Sequence, residues 1–208
     1  MTLSVRRVAL LIDPAPSLLL PLAVGLAKAG YDLAFSTPSG ADRRVLAVLR
    51  SLGRRGLPLD RSAGPDRIVD EVRNHFGRLD LVVVEPERAR GGVVRGSTAR
   101  SRERAPIVSP ALGAARATLE LLGASGGSIV RIVYAPGSGG GARLDPSEIA
   151  ATRQLGHALG PKMRANAVAV PRGDGDGIGF DTHAASIVRT VLFLAGSRLL
   201  NGEVISLR

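Results

Sequence analysis

The chain has no cysteine and no tryptophan in its 208 residues, and only two lysines, Lys28 and Lys162. Without cysteine there is no disulfide, no thiolate nucleophile and no cysteine-ligated metal. Six aromatic residues in all make a poor stacking platform for unpaired bases, so nucleic acid is not the expected partner. No apolar run is long enough to span a bilayer, and the opening residues lack the layout of a secretory leader. The expectation is a cytoplasmic protein with no membrane contact. Acidic balance is also lacking: 28 basic residues face 18 acidic ones, a formal charge of +10. All the basic residues but the two lysines are arginine. Such a surface attracts anions as a class, whether nucleic acid, coenzyme A or an acidic carrier protein.

What is present is a regular alternation. Hydrophobic residues make up 45% of the chain, and its length suits one α/β domain over residues 1–208. Val8 to Ile12 reads as a buried strand, Leu20 to Gly30 as a helix and Tyr31 to Ser36 as a second strand. Helices over Asp42–Leu52 and Pro65–Phe76 carry apolar stripes at helical spacing. Gly56–Asp60, Leu79–Val84, Ser128–Tyr134, Asn166–Val170 and Glu203–Leu207 read as further strands. Ala111–Leu122, Asp145–Leu159 and Ala184–Ala195 read as helices. Asp145-Pro146-Ser147-Glu148 has the residues of a helix start: Asp at the cap, Pro first, Glu third. The alternation predicts a Rossmann-like, doubly wound parallel sheet with helices on both faces.

One turn conflicts with that fold's usual chemistry. A dinucleotide-binding unit places spaced glycines between its first strand and helix, so that backbone N–H groups can approach a pyrophosphate. Here the segment is Asp13-Pro14-Ala15-Pro16-Ser17-Leu18-Leu19. It has no glycine, two residues without an N–H, and a carboxylate where phosphates would lie. No cofactor is expected.

Five stretches, in order, resemble the short-chain dehydrogenase/reductase family. They are Leu26–Gly30, Phe76–Val83, Gly126–Val130, Thr152–Leu159 with Arg164–Ala169, and Phe193–Ala195 with Asn201–Val204. The resemblance implies that family's fold over almost the whole chain. Its functional motifs do not follow. The glycine positions hold Asp13, Ser17 and Leu19, and the Asn-Asn-Ala-Gly position holds Val84, Glu85, Pro86 and Glu87. The active-site Asn would lie just before Ala111, but the asparagines are Asn74, Asn166 and Asn201. The catalytic Ser falls on or beside Tyr134, and the Tyr-x-x-x-Lys pair on Gly141 and Asp145. In the family that Tyr is the acid or base, and the Lys lowers its pKa and holds the nicotinamide ribose. Neither lysine of this chain lies four residues after a tyrosine. The expectation is a chain with no catalytic residues of that kind.

The resemblance also implies assembly, since the family's long helix and its predecessor form a four-helix contact between subunits. Its C-terminal helix and strand form a second contact. Small residues Ala114, Ala115, Ala151 and Gly156 are the expected subunit-interface positions, allowing close helix approach. The leading expectation is a catalytically silent subunit that partners an active reductase or dehydrogenase of that family in a heteromeric assembly, with an acyl-thioester substrate at a shared site. Whether its partner chain is a copy of itself or a relative, a homo- or hetero-oligomer with a chain of that family is expected. The alternatives are a divergent NAD(P)-dependent oxidoreductase similar to 3-oxoacyl reductases, and a homo-oligomeric ligand-binding or scaffold protein.

Three other groups of residues are weighed against plainer readings. Gly137–Gly141, and within it Ser138, Gly139 and Gly140 followed by Arg143, could wrap an anion with backbone N–H groups, or could be filler. Asp174, Asp176, Asp181 and His183 open like a calcium loop, but Ile178 and Ala185 hold ligand positions, so a solvated acidic loop is expected and no metal. Tyr134, Ser138 and His157 offer acid–base groups without a shared element, and the arginines of residues 88–104 read as a solvated basic loop.

Overall fold

A computed structural model describes residues 6–37, 42–60, 64–85, 115–135, 144–171 and 180–207. Seven parallel strands form one sheet: β1 (Arg7–Ile12), β2 (Tyr31–Thr37), β3 (Gly56–Asp60), β4 (Leu81–Val84), β5 (Ser128–Ala135), β6 (Arg164–Pro171) and β7 (Val204–Ser206). Their order is β3-β2-β1-β4-β5-β6-β7. The helices are α1 (Pro16–Lys28), α2 (Asp42–Ser51), α3 (Pro65–Phe76), α4 (Leu119–Ser125), α5 (Pro146–Leu159) and α6 (Phe180–Gly196). The doubly wound α/β fold expected from the alternation is the fold observed.

The strands are apolar on both faces because both faces are covered. Alternate side chains point to opposite sides of a strand. Ala9, Leu11, Leu33, Phe35, Val130 and Val168 pack with α1, α2 and α6. Val8, Leu10, Ile12, Val82 and Ile129 pack with α3, α4 and the last turn of α5. Helix α1 lies so close to α6 that a Cβ on Gly25 would collide with Val188.

Several boundaries differ from those the sequence predicts. Helix α1 starts at Pro16 rather than Leu20, with Pro in the first turn where its missing N–H costs nothing. The helix expected over Ala111–Leu122 is α4, and a helical turn at 115–117 precedes it. Thr118 separates the two, turning its hydroxyl back to donate to the Ala115 carbonyl at 2.6 Å. Helix α5 begins as expected: Asp145 caps it, its Oδ1 accepting the Ser147 N–H at 2.8 Å. That hydrogen bond holds the Asp145 carboxyl below its usual range.

Candidate functional site

The strand order reverses between β1 and β4, and in doubly wound sheets ligands bind in the crevice beyond the carboxyl ends of the strands at that point. The residues there are Asp13 after β1, Ser36 near the end of β2, Glu85 after β4 and Tyr134 near the end of β5.

Asp13 has a left-handed backbone, φ 49°, the only such non-glycine among the described residues. Glycine adopts this conformation without steric cost, and Asp is one of the few others that tolerate it. The turn thus keeps a glycine-like backbone while presenting a carboxylate. The Asp13 N–H donates to Ser36 Oγ at 2.8 Å, and that hydroxyl donates back to Asp13 Oδ1 at 3.4 Å.

Glu85 is the centre of the site. Its residue is 4% exposed. Its N–H donates to the Ile12 carbonyl at 3.3 Å, which extends the β1–β4 pairing by one residue. Its Oε2 accepts the Ala15 N–H at 2.6 Å, and its Oε1 accepts the Tyr134 hydroxyl. Ala15 is the cap residue of α1, and its carbonyl accepts the N–H groups of Leu18 and Leu19. The carboxylate therefore sits against the head of a helix, where backbone partial charges favour an anion. Across residues 13–16 the backbone donors are committed within the chain: Asp13 to Ser36, Ala15 to Glu85, with Pro14 and Pro16 having none.

The sequence pointed to the turn but not to Glu85, which counted there only as the occupant of an asparagine position. The usable signal is an acidic residue ending a four-residue buried apolar strand at the sheet's reversal point. A second missed group joins β5 to α5. Arg131, 9% exposed, donates to Thr152 Oγ1 at 3.1 Å and to Glu148 Oε2 at 2.6 Å.

The other expected positions are dispersed. His157 is exposed on the last turn of α5, which runs back to the start of the sheet, away from Tyr134 near the end of β5. Ser138, Gly139, Gly140 and Arg143 lie outside the described residues, as do Ala114, Asp174, Asp176 and residues 88–104. Among the described residues, no three side chains are grouped to hold a metal ion. No described helix is long and apolar enough to cross a membrane.

Two of the four expected interface positions, Ala115 and Gly156, are packed within this chain. Ala115 is 1% exposed and lies inside the core formed by α3, α4 and α5. Gly156 is buried by this chain's own turn: a Cβ there would stand 2.7 Å from Asn201 Oδ1 and 2.8 Å from the Gly202 nitrogen. Both small residues serve packing within the chain. Of the three described positions, only Ala151 is exposed. Two of the three asparagines are explained by the same turn. Asn201 joins the Gly156 carbonyl to the Ala165 N–H, and Asn166 joins the Leu200 carbonyl to the Glu203 N–H.

No family model matches the chain, and no curated protein matches it. Solved structures do. A short-chain dehydrogenase/reductase from Serratia marcescens superposes with a TM-score of 0.71 at 18% identity, over 98% of this chain and 97% of that one. Acetoin dehydrogenase from Enterobacter cloacae gives 0.71 at 17% identity, over 99% and 94%. An NADH-dependent reductase complexed with NAD gives 0.74 at 16% identity, over 97% and 95%. Over nearly its full length, the chain has the fold of the short-chain dehydrogenases and reductases.

Proposed function

We propose that the chain is a catalytically silent subunit, built on the short-chain dehydrogenase/reductase fold, that assembles with an active chain of the same fold. One observation carries this reading. The backbone donors of residues 13–16, at the head of α1, are consumed by Ser36 and Glu85. A pyrophosphate entering there would displace a buried carboxylate and meet Asp13 as well. Placing like charges together away from water is strongly unfavourable. The absence of a Tyr-x-x-x-Lys pair points the same way. In this reading the partner supplies nucleotide and catalytic groups, and this chain supplies surface and part of an entrance for an acyl-thioester. The exposed Phe193, 57%, and Leu199, 94%, near the end of α6 give such an assembly apolar surface to cover.

Calorimetric titration with NAD+, NADH, NADP+ and NADPH tests the first half, with no saturable binding expected. A micromolar dissociation constant for any of them overturns it. Co-expression with a reductase of the same fold, followed by mass analysis of the eluted species, tests the second half. A mixed complex is expected, and strictly separate elution counts against the pairing.

A further inference from the structure

The formal charge of the chain is unevenly placed. At the end of the sheet opposite the crevice, where β1, β2 and β3 begin, five cations gather about the turn at Gly30. Arg7 Nη2 and Arg54 Nη2 come within 3.8 and 3.9 Å of the point a Gly30 Cβ would occupy. Arg55 Nε lies 2.8 Å and Arg6 Nη1 4.0 Å from the carboxylate of Asp32. Lys28 is the last residue of α1, two positions before Gly30 in the chain. Asp32 is fully buried and is the carboxylate that Arg6 and Arg55 share, which leaves cations in excess about this turn.

Helix termini account for only part of that excess. Arg7 donates to the Ala29 carbonyl at 2.5 Å and Arg54 to the Ala27 carbonyl at 3.2 Å, at the negative end of α1. Such an end is equivalent to about half an elementary charge. Much of the remainder faces water: the side chains of Arg6 and Arg55 are 54% and 47% exposed, and Arg7 and Lys28 are exposed. The adjoining Arg78 is different, tied to its own carboxylate on Asp80 at 2.6 Å. On the β4 side the patch therefore has an edge.

We propose that this patch docks a short acidic segment of a partner protein. Three strand starts cover two interstrand gaps, roughly 10 Å. Duplex nucleic acid is held through phosphates spaced along its length, whereas these exposed cations gather about a single turn. The two aromatic rings beside the patch are already covered by its own cations: Tyr31 is buried beneath the Arg7 guanidinium at 4.3 Å, and half-buried Phe76 lies beneath that of Arg55 at 5.0 Å. A few adjacent carboxylates match its size and charge. The guanidiniums of Arg7, Arg54 and Arg55 are already fixed by hydrogen bonds within the chain, so little side-chain freedom is lost when an anion arrives.

Fluorescence anisotropy with a labelled oligoglutamate peptide, and separately with a short labelled DNA duplex, tests this on the full chain. Saturable peptide binding is expected at low salt, weakening about tenfold as screening shortens. The double variant Arg6→Glu/Lys28→Glu should bind the peptide at least about tenfold more weakly, about one decade or 1.4 kcal/mol. Its unfolding midpoint should fall slightly, because the new carboxylates face buried Asp32 and the negative end of α1. A folded baseline at the assay temperature is therefore checked first, and Arg6→Gln/Lys28→Gln, which adds no negative charge, should weaken peptide binding in the same direction. Unaltered peptide affinity in the variant, or no saturable peptide binding, overturns the proposal. Tighter binding of the duplex that is lost in the same variant also overturns it, by making the occupant a nucleic acid.

Discussion

Glu85 shows how one side chain can redirect a fold's chemistry. Its carboxylate fills the anion-favouring head of α1 that the fold otherwise leaves for a ligand. Glu85→Ala strands the Ala15 N–H and deprives the Tyr134 hydroxyl of an acceptor. Urea unfolding should show a loss of about 3 kcal/mol. Glu85→Gln keeps a carbonyl for one donor and should recover roughly half of that loss. A second residue gives the chain a pH limit on the alkaline side. Burial pushes the Tyr31 hydroxyl above its ordinary value, with Asp80 adding and Arg7 and Arg164 opposing. The unfolded chain releases this proton near pH 10, at about the free tyrosine value. The folded chain holds it longer, so this stability is complete below about pH 10 and declines as pH rises through the folded value. Tyr31→Phe should flatten that decline, read as unfolding midpoints at mildly and strongly alkaline pH. Neither role was legible in the sequence. Asp13 and the prolines marked the turn as unsuited to phosphate, but Glu85 meets it only through strand pairing across 70 residues of chain, and Tyr134 reaches Glu85 across a further 49.

Elements were far more legible than contacts. Among the described residues, apolar runs and stripes located the strands and all the helices but α4, which lies later than the Ala111–Leu122 expectation, because a sheet covered on both faces demands them. The small residues misled for a related reason: a glycine marks close approach, but not of what. At Gly156 the approaching group is the Asn201–Gly202 turn of the same chain. Gly156→Ala should therefore lower stability by about 1–3 kcal/mol through overpacking, without altering the molecular mass in solution. A change of mass at unaltered stability would return Gly156 to an intersubunit surface. The start of α5 carries the acid-side counterpart of Tyr31. The Ser147 N–H holds the Asp145 carboxyl low, so its contribution is present above about pH 4 and fades as pH falls through the folded value. Amide exchange over the first turn of α5 should be faster in Asp145→Ala at neutral pH, and the difference should vanish in acid.

For the whole molecule, assembly is the property to measure. Ala151, Phe193 and Leu199 are exposed, and an oligomer would cover such positions. Sedimentation at micromolar concentration should give a mass above that of one chain, and Ala151→Arg should shift it toward the monomer. A monomer in both cases removes the basis for a subunit role. The sheet order has a further consequence, for the order of events in time. Its centre joins β1 to β4 through pairs such as Ala9 with Leu81. The first three strands are thus an incomplete half-sheet until residues beyond 80 are available, with one edge of β1 unpaired. Non-local pairing of this kind forms slowly, and an uncovered strand edge invites association with other chains. On the ribosome, this protein passes through an interval in which β1, apolar from Val8 to Ile12, has one edge uncovered, and chaperone demand should concentrate there.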